Sequence, residues 1–294
     1  MATATLTAPG GRTDRRRPQR TAGQRTGNFF IYFLAWSLVV LILVPVAYII
    51  IGGFRTNSEI TQDPAGLPAT WQFENYLNVL TSDVFWREVL NSSIAAIATT
   101  LFVVTLGLMA AYVLARYRFR MRGVLYAVFA AGLMFPMTVA ITPLYILVRN
   151  LGLMNSLAGV IIPQVAFALP MTIIILVPFL QALPREIEEA AFIDGCSRLG
   201  FFWRMVIPLS MPGVITVGIL AFIASWNSYM LPLFILNNEA SFTLPLGVQA
   251  FASQYSVDTA KVLAFTSLSM IPALVFFSLF ERRIVGGLTG AVKG

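Results

Sequence analysis

The stretch PREIEEAAFIDGCSRLGFFWRMVIPLSMPG, residues 184–213, is the longest charged interruption in the second half of a very apolar chain. It carries Arg185, Glu186, Glu188, Glu189, Asp194, Arg198 and Arg204, then two prolines that re-enter an apolar run. Pro184 suits the first turn of a helix, where a missing N–H costs nothing. Glu186, Glu188 and Glu189 fall where the helix dipole favours negative charge. Ile187, Ala190, Ala191 and Asp194 stand at i, i+3, i+4 and i+7, and Gly195 suits a left-handed stop. The segment thus predicts a short helix with a narrow, nearly flat Ala-Ala face that could seat in another protein's groove. The plainer alternative is a helix lying on the bilayer. Against it stand the small apolar face and the excess of four carboxylates over Arg185 in residues 185–194, which anionic headgroups would repel.

Composition sets the solvent. The 294 residues are 57% hydrophobic and 11% charged, with a mean hydropathy of +0.78, whereas soluble domains carry about 25% charged residues. Histidine is absent and Cys196 is the one cysteine, which excludes disulfides, cysteine metal clusters and Ser-His or Cys-His nucleophiles. Neither lysine, Lys261 or Lys293, follows a glycine, so the chain cannot build the Gly-Lys phosphate loop of a nucleotide hydrolase. No enzyme activity, metal or cofactor is expected.

Apolar runs long enough to span a bilayer, about 20 residues each, recur at 28–54, 89–115, 123–148, 159–181, 208–236 and 262–280, and none contains Asp, Glu, Lys or Arg. With the N-terminus in the cytoplasm, sixteen Arg and Lys fall inside and four (Arg55, Arg87, Arg149, Lys261) outside. That asymmetry predicts a multi-pass plasma-membrane protein with both termini cytoplasmic. Residues 1–28 read as a basic, disordered tail, with nucleic-acid or anionic-lipid binding as alternatives. Residues 29–281 read as the transmembrane domain, and 282–294 as a short cytoplasmic tail.

Several stretches hold open readings. In the 55–88 loop, Trp71, Tyr76 and Trp86 suit an interfacial belt or a contact with an external partner. Ser92, Ala96, Thr100, Gly107, Ala111 and Ala115 recur at near-helical spacing, a face for close helix packing. Pro136, Pro143, Pro163, Pro170 and Pro178 either bend the third and fourth spans around a water-filled path or merely fit packing. Ser225, Trp226, Asn227, Ser228 and Tyr229 are five consecutive hydrogen-bonding side chains in a span, which must face protein or water. They read as a path for a polar, uncharged solute or as an interhelical hydrogen-bond cluster.

EAAFIDGCSRLGFFWRMVIPLSMPG resembles the EAA loop of the permeases of ATP-binding-cassette (ABC) importers, with Glu189, Ala190, Ala191, Asp194, Gly195, Pro208 and Pro212 at the matching positions. ENYLNVL (74–80), ASWNSYMLPL (224–233) and GLTGAVKG (287–294) are similar to the smaller, six-helix subunit of maltose-type carbohydrate importers. The resemblance implies an all-α, type I importer bundle with a coupling loop at about 182–207. It further implies that Glu189, Ala190, Ala191, Asp194 and Gly195 dock on a cytoplasmic ABC ATPase dimer. Gly287, Leu288, Thr289, Gly290 and Lys293 would reach that ATPase. Phe242, Gln249, Phe251 and Tyr255 would meet an extracytoplasmic sugar-binding protein. A second, homologous permease subunit completes the set, and nucleic acid is no partner. Ser225, Trp226, Asn227 and Tyr229 are the candidate translocation path.

The implied function is half of a translocation path for a sugar or oligosaccharide. Permeation of a sugar phosphate or polyol is the nearest alternative. An ion-coupled transporter is a further one, but it would be expected to keep ionisable residues inside its spans.

Overall fold

The computed structural model describes residues 22–251 and 258–292, with side chains described for 31–249 and 258–280. Among the described residues the chain is all-helical. Its helices are α1 (Ala22–Gly52), α2 (Asn57–Gln62), α3 (Phe73–Leu80), α4 (Asp83–Arg116), α5 (Arg122–Gly132), α6 (Met137–Asn150), α7 (Leu157–Gln181), α8 (Arg185–Ile193), α9 (Arg198–Phe201), α10 (Ile207–Trp226), α11 (Met230–Ile235) and α12 (Thr259–Val292). A π-helical turn, Phe202–Val206, joins α9 to α10. Pro208 has no N–H to return to the carbonyl of Arg204, and just upstream the ladder widens.

Residues up to Tyr48 form one unit and those from Ile49 another. In the first, α1 begins inside the stretch expected to be tail, and the side chains from Ile31 to Val44 are exposed.

Among the described residues, five helices are long and apolar enough to cross a membrane. The expected third span is not one helix. It is α5 and α6, bent by 100° at Leu133–Pro136. The break falls at Pro136, which disfavours the helical region for Phe135 and caps α6 from an extended conformation. The fifth span is also interrupted, since α10 ends at Trp226 and α11 starts only at Met230. By contrast α7 runs unbroken through Pro163, Pro170 and Pro178.

α4 is the central post, packed against α7 and α10. Of the small-residue face read from sequence, Ser92, Ala96, Gly107, Ala111 and Ala115 are buried. Gly107 shows why size matters: a Cβ there would collide with Thr172 Cγ2 on α7. Toward the α8 end, Leu108, Ala111, Ile173, Leu176, Leu180, Phe202, Val206 and Val217 form one core that also takes in Ala191 and Phe201. The loop of residues 184–206 is thus part of the bundle.

At the opposite end, the short elements are fastened by polar contacts. Arg55, 2% exposed, donates to the carbonyls of Glu59, Asp63 and Pro64. Thr56 and Glu59 form a capping box at α2. Bonds from the Thr56 and Ala69 amides hold the Glu59 carboxyl below its ordinary range. Asn155 adopts a left-handed conformation (φ 57) and accepts from the amides of Asn237 and Asn238, while Ser241 Oγ donates to its carbonyl. Asn91 Nδ2 donates to the carbonyls of Ala240 and Phe242, and Leu244 N donates to Ser92 Oγ.

Two stability outcomes follow. Gly107→Val should force α4 and α7 apart and cost about 1–3 kcal/mol, whereas Gly123→Ala, which meets open space, should be silent. Both are read as thermal-unfolding midpoints in detergent. Asn155→Ala should lower the midpoint more than Asn155→Gly. Both lose the acceptor, but only alanine also strains the left-handed backbone, by about 1–2 kcal/mol.

Candidate functional site

Two regions can do work: the α8 loop, and a cavity on the helices that loop is packed into. α8 has the bounds its sequence predicts. Pro184 is its N-cap, Asp194 its C-cap, and Gly195 follows at φ +81. The face read from sequence is divided, however. Ala191 is buried in the chain's own core beside half-buried Ile187, while Glu189, Ala190, Ile193, Asp194 and Gly195 are exposed. Ala190 and Ala191 therefore do not form one outward surface. The inner one seats the helix and the outer one is free, because a narrow helical face facing a groove and one facing the core carry the same pattern.

Several side chains fasten this loop to the end of α4. Arg116 Nη2 donates to Leu183 O at 2.9 Å, and its Nε lies 3.9 Å from Glu188 Oε2, an ion pair too long for a hydrogen bond. Tyr112 packs on Phe202 at 5.3 Å and on Tyr117 at 5.8 Å, and Arg198 stands 5.7 Å over the Tyr117 ring. Phe192 packs on Phe201 at 5.7 Å. The loop is thus joined to α4 through packed rings and to α7 and α10 through the shared aliphatic core.

Those three helices also share a buried cluster of polar side chains. Gln164 of α7 accepts at Oε1 from Thr99 Oγ1 of α4 (3.1 Å) and from Ser225 Oγ of α10 (2.6 Å). All three residues are buried and open onto a cavity of about 410 Å³. The bent α5–α6 pair supplies Phe135 and Met137 to its wall, α7 supplies Phe167, and Ser228 joins from the break after α10.

The residues expected to form the path are thus separated. Ser225 faces this cavity. Trp226 is buried against Phe222 and, with exposed Asn227, lines a different cavity of about 400 Å³ near Thr266 and Ser269. Tyr229 is exposed and precedes α11. Ser225 and Trp226 open onto different cavities because successive residues of a helix point about 100° apart, and α10 ends just after them. Thr99 and Gln164 are absent from the sequence reading. A screen for charge in the spans passes over an amide, though Gln164 is a hydrogen-bonding side chain set in an apolar run.

Of the residues expected to meet a binding protein, Phe242 and Gln249 are half-buried on the α11 end, and Phe251 ends a 3-10 segment, Leu244–Phe251. Tyr255 lies outside the described residues. For the C-terminal tail, the backbone stays helical through Gly287, Leu288, Thr289 and Gly290 to Val292, and Lys293 lies outside the described residues.

With this geometry in place, the similarities to known proteins are informative. Over 258 residues the chain is 36% identical to the diacetylchitobiose uptake system permease protein NgcG of Streptomyces coelicolor, covering 87% of this chain and 85% of that protein. It is 36% identical over 255 residues to the trehalose transport system permease protein SugB of Mycobacterium tuberculosis, covering 86% and 93%. The fold matches a chain in the crystal structure of a bacterial ABC transporter involved in import of the acidic polysaccharide alginate. There the TM-score is 0.78 at 22% identity, over 90% of this chain and 99% of that one. Residues 103–285 match the family described as binding-protein-dependent transport system inner membrane component, and together with the curated relatives this places the chain in that family of multi-pass inner-membrane permeases.

Proposed function

We propose that this chain is one half of the translocation path of an ATP-driven importer for a sugar or short oligosaccharide. The single observation that carries the reading is α8. It is seated by Ala191 in the core formed with α4, α7 and α10, yet it presents Glu189, Ala190 and Ile193 outward beside a left-handed glycine. A cytoplasmic ATPase gripping that outer face would move the three helices that line the Gln164 cavity. From Arg116, where α8 is tied, to Thr99 is about 25 Å along α4 at 1.5 Å per residue.

The α8 end is taken as cytoplasmic, since it also carries Arg116, Arg118, Arg120 and Arg122. The α2, α3 and α11 end then faces outward, where Phe242 and Gln249 would meet the solute-binding protein. The glycine-rich end of α12 would approach the ATPase. The chain itself is not an enzyme: it has no Gly-Lys phosphate loop, so ATP hydrolysis belongs to a separate subunit, and a second permease completes the path. The sugar assignment is supported by relatives named for diacetylchitobiose and trehalose.

The test is reconstitution. Purified alone, the chain should neither hydrolyse ATP nor transport; with a second permease, the ATPase and the binding protein it should import sugar. Hydrolysis by the single chain would overturn the reading. Gly195→Val should insert into the membrane at normal levels but lose ATP-dependent uptake. A β-branched residue at φ +81 costs about 1–2 kcal/mol and would re-aim the end of α8. Unimpaired uptake by that variant would remove α8 as the coupling element.

A further inference from the structure

We infer that Gln164 is a substrate-binding residue, its amide N–H group a preset donor for a hydroxyl or ring oxygen of an uncharged saccharide in the cavity. The inference rests on the importer reading above and names which atoms of this half touch the solute.

The amide presents its oxygen, not its nitrogen, to the two neighbouring hydroxyls. Serine and threonine hydroxyls in the spans commonly donate to the carbonyl four residues back: Ser93 to Val89, Thr100 to Ala96, Thr172 to Ala168, Ser210 to Val206 and Thr216 to Pro212. Thr99 and Ser225 instead direct theirs to Gln164 Oε1. With both lone pairs of that oxygen engaged, Nε2 is turned the other way. It donates to nothing among the described residues, yet it is not one of the sealed, unpartnered buried atoms. The side chain is 7% exposed, and that small opening is onto the cavity.

An amide donor at membrane depth without an acceptor is costly, so the arrangement calls for one arriving from the cavity. The chemistry of the wall selects its class. Phe135 and Phe167, with ring centroids 6.5 Å apart, and Met137 and Met171 offer an apolar surface, while Gln164 and Ser228 offer hydrogen bonds. Among the described residues, no Asp, Glu, Lys or Arg lines this cavity. A solute with an apolar ring face and neutral hydroxyls fits on this half. A carboxylated or phosphorylated one would find no counter-charge there.

The experiment uses the whole transporter in proteoliposomes: this chain, its partner permease, the ATPase and the binding protein. Uptake of labelled trehalose and diacetylchitobiose is measured beside binding-protein-stimulated ATP hydrolysis. Gln164→Met keeps the volume and removes the donor. Its maximal uptake should fall roughly tenfold, the scale of one lost hydrogen bond, while stimulated hydrolysis persists, so fewer sugars cross per ATP. Thr99→Val with Ser225→Ala, which frees the amide to turn, should give a smaller loss of the same kind. Unchanged uptake in Gln164→Met overturns the inference alone. Equal loss of uptake and hydrolysis makes Gln164 a packing residue and overturns it as well. A wild-type transporter that imports neither sugar while its stimulated hydrolysis is intact overturns the saccharide assignment and this inference together.

Discussion

The constraint on which the rest depends is that hydrocarbon offers no partner to a polar group. Every hydroxyl and amide set into a span must be met by the chain itself or by something in a cavity. Several hydroxyls, those of Ser93, Thr100, Thr172, Ser210 and Thr216 among them, are met cheaply by the preceding turn of their own helix. Thr99 and Ser225 are met across helices by Gln164, and this cluster joins α4, α7 and α10 in the bundle interior. Around it the packing is done by size, as at Gly107, where α4 comes close to Thr172 of α7. Hydrogen bonding and small residues together replace the hydrophobic drive that a soluble bundle would have.

The α8 loop was legible in the sequence because its signals are local. A proline entry, carboxylates near the first turn and a glycine stop all act within one short segment, and the structure places the helix and the positive φ where they predict, with Pro184 one position earlier, as N-cap. What was not legible depends on neighbours. Whether Ala191 faces its own core or a partner cannot be read from a face two alanines wide. α7 tolerates three prolines unbroken while α5–α6 breaks at one, because what a freed carbonyl finds depends on tertiary surroundings. Gln164 escaped because burial, not charge, gives an amide its consequence.

In the proposed mechanism, seating and coupling would be the same contact seen from two sides. Ala191, Phe201 and Phe202 fix α8 to the bundle, and Tyr112 and Arg116 continue that attachment into the end of α4. A loosely tethered loop could be gripped without moving anything. Here the surface available to a partner is the reverse face of a nine-residue helix whose inner side is core.

The two interruptions in the spanning helices support the position of the path independently of any side-chain assignment. Irregular backbone at membrane depth exposes N–H and C=O groups and is tolerated only where protein buries it or water reaches it. In this chain one interruption is the 100° bend at Leu133–Pro136 and the other is Asn227–Tyr229 between α10 and α11. Leu133 and Phe135 from the first and Ser228 from the second line the same cavity that Gln164 opens onto. Two breaks far apart in sequence converge on one space, and it is the space onto which Gln164 opens. A bundle built only to anchor would have no reason to break twice around an open volume, whereas a path for a polar solute needs such a volume.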